Sequence, residues 1–261
     1  MEAVLSIAGS DSSGGAGIQA DIKTIAAHHL FAETAVTALT AQNTLGVAGV
    51  HDVPPSFVKA QIDAVFSDIR PQAVKIGMVS TAGVIEAIAC ALDEWDAENV
   101  VVDPVMVATS GARLIDDGAL RALTELLLPR ARVITPNIPE AEVLIGRAIE
   151  GEREAERAAV ELAATFRTCA LVKGGHGLHD ANDVLATPEG VVTWFRAPAI
   201  DTANTHGTGC TLSSAIACGL ARGCSVPDSV EKAKRYLTGA LTAGLDLGQG
   251  SGPVDHMWQI A

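Results

Sequence analysis

The run Thr205-His206-Gly207-Thr208-Gly209-Cys210-Thr211 leads into the small-residue stretch Cys210-Thr211-Leu212-Ser213-Ser214-Ala215. A glycine-rich turn that opens a helix presents consecutive backbone N–H groups with the helix dipole behind them. That is an anion hole suited to developing phosphoryl charge. Cys210 falls on the first turn, where the positive end of the dipole lowers a thiol pKa and favours thiolate. Such a thiolate can take a proton from a substrate hydroxyl. The four-residue step from His206 to Cys210 also admits a Cys/His nucleophile, although nothing else in the chain supplies a peptide or acyl site.

Three further groups of residues could do chemistry. The loop Gly9-Ser10-Asp11-Ser12-Ser13-Gly14-Gly15-Ala16-Gly17-Ile18-Gln19-Ala20-Asp21 contains a formal Gly15-x-Gly17-x-x-Ala20 dinucleotide fingerprint. Its context argues against a dehydrogenase. Gly15 lies seven positions after Ala8, and Glu33 stands before the second strand rather than capping it. A Walker Gly-x-x-x-x-Gly-Lys-Ser/Thr run is absent. The loop is better suited to wrapping a small polar substrate, with Asp21 available for an amino or hydroxyl group. Asp103-Pro104 and Asn137-x-x-Glu140 place isolated carboxylates at strand ends, which suits a magnesium ion that keeps most of its waters. The Asn137/Glu140 spacing is equally that of a helix capping box, and both can hold at once. Lys173-Gly174-Gly175 can set a cation against a phosphate.

These residues need a frame, and the apolar pattern supplies one. Short Val- and Ile-rich runs at 4–8, 34–40, 73–76, 99–102, 132–135 and 169–172 alternate with helical stretches at 17–29, 55–68, 81–95, 117–128, 139–145, 152–166, 210–222 and 227–246. Near-continuous apolar runs mean strands covered on both faces. The alternation predicts an α/β fold of three layers around a mostly parallel sheet, with 184–198 as a hairpin. One domain of 261 residues accommodates all of it. The carboxyl ends of such strands line the ligand crevice, so the unusual residues are expected along one edge.

Composition narrows the function. With 18 basic against 31 acidic residues, the net charge of −13 disfavours a sequence-independent grip on nucleic acid. No apolar run approaches a bilayer span, and the first residues lack a signal peptide's basic and apolar regions. Five scattered cysteines without a C-x-x-C pair fit a reducing cytoplasm.

Taken in order, the block 8–21, Thr40-Ala41-Gln42-Asn43-Thr44, Lys75-Ile76-Gly77-Met78, Asp103-Pro104-Val105-Met106, Thr135-Pro136-Asn137-x-x-Glu140, Lys173-Gly174-Gly175-His176 and His206-Gly207-Thr208-Gly209-Cys210 closely resemble the hydroxymethylpyrimidine/phosphomethylpyrimidine kinases of thiamine biosynthesis, within the ribokinase-like superfamily. The resemblance runs from residue 4 to about 255. It implies an enzyme that uses ATP and Mg2+ to phosphorylate a pyrimidine twice. By the same resemblance Gln42 hydrogen-bonds the aminopyrimidine, aided by Asp21, while Gly9 and Met78 shape the pocket. Cys210 stands where most of the superfamily places an aspartate base. Gly207, Thr208 and Gly209 form the anion hole, Lys173 meets ATP phosphate, and Asp103, Asn137 and Glu140 organise the metal. Residues 177–183 vary in length among relatives and receive no role. A pyridoxal kinase is the alternative on the same fold, and a non-catalytic binding protein a third reading. A homodimer is expected by analogy.

Overall fold

A computed structural model describes residues 1–106, 115–175 and 181–260; His176 of the Lys-Gly-Gly-His motif and most of segment 177–183 lie outside it. Among the described residues nine strands form one sheet, in the order β3-β2-β1-β4-β5-β6-β7-β8-β9. They are β1 (Ala3–Asp11), β2 (Phe31–Asn43), β3 (Gly46–Asp52), β4 (Ala73–Ile76), β5 (Val100–Val102), β6 (Val133–Ile134), β7 (Cys169–Val172), β8 (Asp183–Ala186) and β9 (Val192–Phe195). The pairings from β2 across to β7 are parallel, and β3, β8 and β9 join antiparallel. The anticipated mostly parallel sheet and the C-terminal hairpin are both present.

The apolar runs are continuous because each strand serves two cores. Leu5, Ile7, Val74, Ile76, Val100 and Val102 pack on one face, against helices α2 (Pro55–Phe66), α3 (Ala82–Glu94), α4 (Asp117–Ala122), α5 (Ile138–Ile145) and α6 (Glu152–Phe166). Their neighbours Val4, Ala73 and Val101 face the opposite layer of α1 (Gly17–Ala27), α7 (Thr208–Ala221) and α8 (Val226–Ala243). Side chains alternate across a strand, so one hydrophobic run feeds both layers. The stretch read as a helix over 117–128 is α4 followed by a π-helical turn at Leu123–Leu127 and a tight turn at Leu128–Arg130. Pro129 cannot donate the hydrogen bond that would extend it.

Strand β3 was not anticipated. Its sequence Gly46-Val47-Ala48-Gly49-Val50-His51-Asp52 is short and glycine-interrupted, and it is largely exposed at the sheet edge. It lengthens the β2 ribbon beyond the sheet and carries the turn that flanks Gln42.

Candidate active site

The strand ends do converge. Helix α7 begins with Gly207 as its N-cap, in the left-handed region at φ 82°. A Cβ there would lie 1.9 Å from the Gly15 carbonyl oxygen, so only glycine lets the turn press against the β1–α1 loop. The next residues, Thr208, Gly209 and Cys210, occupy the first turn, whose amides lack partners inside the helix. A Cβ on Gly209 would stand 3.2 Å from Asp103 Oδ2 and 3.4 Å from Lys173 Nζ. Anion hole, cation and strand-end carboxylate therefore share one corner.

Within that corner Lys173 Nζ donates to Asp103 Oδ1 at 2.7 Å, and the Thr135 hydroxyl donates to the same oxygen at 2.9 Å. Asp103 thus fixes the direction of the ammonium. Burial works to lower Lys173, but Asp103 and Glu140 carry it above the usual lysine value, so it stays charged. Asn137 and Glu140 make the capping box in full: Glu140 N donates to Asn137 Oδ1 and Asn137 N to Glu140 Oε2, each at 2.9 Å. The capping use of this spacing is realised, and it is compatible with a metal role for the same two residues. Asn137 positions Glu140 by capping, and Asp103 and Glu140 are the carboxylates that act on Lys173.

Burial pushes the Glu140 carboxyl up to about 7; Lys173 opposes the rise and Asp103 adds to it. Among the described residues Lys173 is the cation that lowers the Glu140 value, and a magnesium ion would add a second without a dedicated cage. Such an ion uses one or two carboxylates, waters and substrate phosphates. Among the described residues no set of three or more metal-binding side chains is assembled. The folded-state value of about 7 lies above the ordinary 4.5. Between these values the folded chain holds a proton that the unfolded chain releases, so stability falls as pH rises through the window. A shift of that size is worth about 3 kcal/mol. Glu140→Gln lacks this dependence. In the absence of Mg2+, its melting temperature relative to the parent should be higher at about pH 8 than at about pH 5. Equal differences at both pH values would reject the assignment.

Asp21 behaves differently from expectation. It is fully buried, and Lys75 Nζ donates to both its oxygens at 2.8 Å. The hydroxyls of Ser6 and Ser214 donate to them as well, at 2.5 and 2.8 Å. It has no surface and no spare geometry for a substrate, so its direct contact with the ring is corrected to a role beneath the site. Lys75 is fully buried too. Burial would lower its pKa, but Asp21 foremost, with Cys210 and Asp103, raises it, and the pair remains ionic. A charged residue inside the run Ala73-Val74-Lys75-Ile76 was the available signal, because lysine is almost never fully buried unpaired.

Cys210 lies one helical turn before Ser214, on the same face of α7, and therefore above this ion pair. Gly17 N–H, at the start of α1, donates to its sulfur. A helix start on its own lowers a thiol pKa. Burial instead pushes it up, Lys75 draws it down, and the Asp21 and Asp103 carboxylates add to the rise. Desolvation of the thiolate outweighs the two helix termini, and the resting group is a thiol.

On the other side of the turn, His206 Nε2 lies 2.8 Å from Asp11 Oδ2 and 3.4 Å from Gln42 Nε2. Asp11 also accepts from the amides of Ser13, Gly15 and Ala16. It ties the β1–α1 loop to the α7 turn, a role that its place in the glycine-rich motif did not reveal. Gln42 borders an open groove of about 520 Å³, with Ser12, Asn43 and the β2–β3 turn around it. A Cβ on Gly9 would meet Met78 Cε at 2.5 Å, so these two residues pack side by side. Position 42 and the turn entering α7 share one end of the sheet.

A mostly parallel sheet between two helical layers, whose strand ends meet a glycine-rich helix start and an oriented lysine, is the arrangement of a ribokinase-like small-molecule kinase. The chain belongs to the phosphomethylpyrimidine kinase family, whose model matches residues 11–255. It is 52% identical over 258 residues to the hydroxymethylpyrimidine/phosphomethylpyrimidine kinase of Rhizobium meliloti, covering 97% of this chain and 96% of that protein. It is 51% identical to the thiamine biosynthesis bifunctional protein ThiED of Geobacter sulfurreducens and spans 52% of that relative's length. Among solved structures, the phosphomethylpyrimidine kinase of Clostridium difficile 630 matches with TM-score 0.82 and 42% identity, over 91% of this chain and 98% of that one. The ADP complex of Bacillus subtilis pyridoxal kinase matches with TM-score 0.92 and 35% identity, over 100% and 99%. The ribokinase-like fold and the phosphotransferase class agree with the reading from residues. Among the described residues, no helix is long and apolar enough to cross a membrane.

Proposed function

We propose that this chain transfers the terminal phosphoryl group of ATP to 4-amino-5-hydroxymethyl-2-methylpyrimidine, then to the resulting monophosphate, in the formation of thiamine. The observation that carries this reading is the short distance from Gln42 to His206, 3.4 Å, which puts a ring-binding amide beside the phosphoryl-binding turn. In the first step the substrate hydroxyl oxygen bonds to the γ-phosphorus, ADP leaves, and the hydroxyl proton passes to the Cys210 thiolate, formed when the resting thiol gives up its own proton to solvent. The amides of Gly207, Thr208, Gly209 and Cys210 and the Lys173 ammonium stabilise the charge that builds on the transferred group, as phosphoryl transfer requires. Asp103 and Glu140 would hold Mg2+, which supplies charge neutralisation between the nucleotide phosphates. A homodimer formed on the open edge of β3, where Leu45, Val47 and Val50 are exposed, is part of this reading.

Incubation of the purified chain with ATP, Mg2+ and the pyrimidine alcohol should give the monophosphate first and then the diphosphate, followed by phosphorus NMR. The similarity to a pyridoxal kinase structure supports a second reading. Phosphorylation of pyridoxal with none of the pyrimidine alcohol would replace the first reading with the second.

A further inference from the structure

A chain of polar contacts runs from Asp11 through His206 and Gln42, which borders the groove, to Thr40 and Ser10. Burial pushes the Asp11 carboxyl up, but bonds from His206, Ser13 and Ala16 prevail and hold it well below the usual carboxylate range. An ionised carboxylate only accepts, so the His206 Nε2 that lies 2.8 Å away carries a proton aimed at Asp11. That nitrogen has no lone pair left for Gln42. At the far end, the Thr40 hydroxyl lies 2.9 Å from the Ser10 carbonyl oxygen, which also only accepts. Its single proton is spent there, so Thr40 Oγ1 can only accept from Gln42.

The amide of Gln42 has two orientations of the same shape, and proton count decides between them. With Oε1 3.1 Å from Thr40 Oγ1 and Nε2 3.4 Å from His206 Nε2, lone pair faces lone pair at one end and N–H faces N–H at the other. The reversed amide removes both conflicts: its N–H donates to Thr40 Oγ1, and its oxygen shares the His206 N–H with Asp11 as the longer branch of a three-centre bond. We propose that Thr40 and His206 are positioning residues that pin the Gln42 amide with its nitrogen toward Thr40 and its oxygen toward His206, and so fix the direction in which the substrate ring lies.

The pinned amide keeps one lone pair on oxygen and one N–H on nitrogen for a ligand. An aminopyrimidine edge offers the complement, an amino donor beside a ring-nitrogen acceptor. The oxygen then holds the amino group on the His206 side. In the substrate assigned above, on which this step rests, the hydroxymethyl arm grows from the carbon next to the one bearing that amino group. The arm is directed toward the turn Gly207–Cys210 that follows His206. A reversed amide would send it toward Thr40, away from the anion hole.

Two measurements test this. In the ligand-free protein, NMR should show the Gln42 side-chain amide protons close to the Thr40 methyl; proximity to the His206 ring protons instead would overturn the proposal. In kinetics, the parent should prefer the 4-amino ring alcohol to its 4-oxo analogue, whose donor and acceptor are exchanged. Thr40→Val should reduce that preference by about tenfold, the worth of one hydrogen bond to a buried partner. Most of the loss should fall in kcat for the amino ring. Thr40→Ser, which keeps the hydroxyl, should restore it. A preference unchanged in Thr40→Val would overturn the proposal. A parent enzyme inactive on the pyrimidine alcohol would remove the assigned substrate and leave the NMR result to judge the pin.

Discussion

Cys210→Ala should lower the first phosphorylation by about a hundredfold or more and leave the second within about threefold. The acceptor of the first step is an alcohol, whose proton must leave as its oxygen bonds to phosphorus. The acceptor of the second is a phosphate, already ionised near neutral pH, with a second pKa of roughly 6. Only the first needs a base. Burial pushes the thiol up, and Lys75 is the cation that draws it back. A base must be deprotonated to act, so the parent's first step should accelerate as pH rises through the raised thiol value. That alkaline rise should vanish in the alanine variant. Single-turnover measurements of each step against pH provide the check, and equal losses in both steps would remove Cys210 from the base role.

Gly207→Ala should disable both steps together, by about a hundredfold or more. The added Cβ would meet the Gly15 carbonyl oxygen at 1.9 Å, at a φ of 82° that disfavours any side chain. The backbone must move, and a displacement near 1 Å in a positioning element costs about a hundredfold. The left-handed conformation adds about 1 kcal/mol or more of instability. The Gly207 carbonyl also accepts from Thr211 N at 2.9 Å and from the Thr211 hydroxyl at 2.8 Å, so the helix start moves with it. Loss of both steps, with a lowered melting temperature, is the expected result. Activity within about threefold of the parent would mean that this turn does not cradle the phosphoryl group.

The contrast between these positions shows what the sequence makes legible. Gly207 is readable because glycine before a small-residue helix has few uses, and the strands are readable because two covered faces demand unbroken Val and Ile. The helix limits agree within a few residues for the same reason. The ends of a hydrogen bond are another matter. Asp21 looked available for substrate, and nothing local told that Lys75, 54 positions later, would take both its oxygens. The acidity of Cys210 was misjudged because a helix terminus is a sequence feature, whereas desolvation depends on everything packed around the sulfur. Asn137 and Glu140 carried two meanings at one spacing, and only the folded geometry shows the cap being made. Strand β3 escaped because an exposed edge strand needs no apolar alternation to announce it.

The contact between Asp11 and His206 joins residues 195 positions apart. Closing so long a stretch is entropically expensive and is rewarded only when the intervening layers are already in place. The link beside Gln42 therefore depends on layers built from the whole stretch between β1 and α7. Newly made chains can acquire most of their helices and still be inert, and the cell would meet this enzyme as either finished or silent, with little in between.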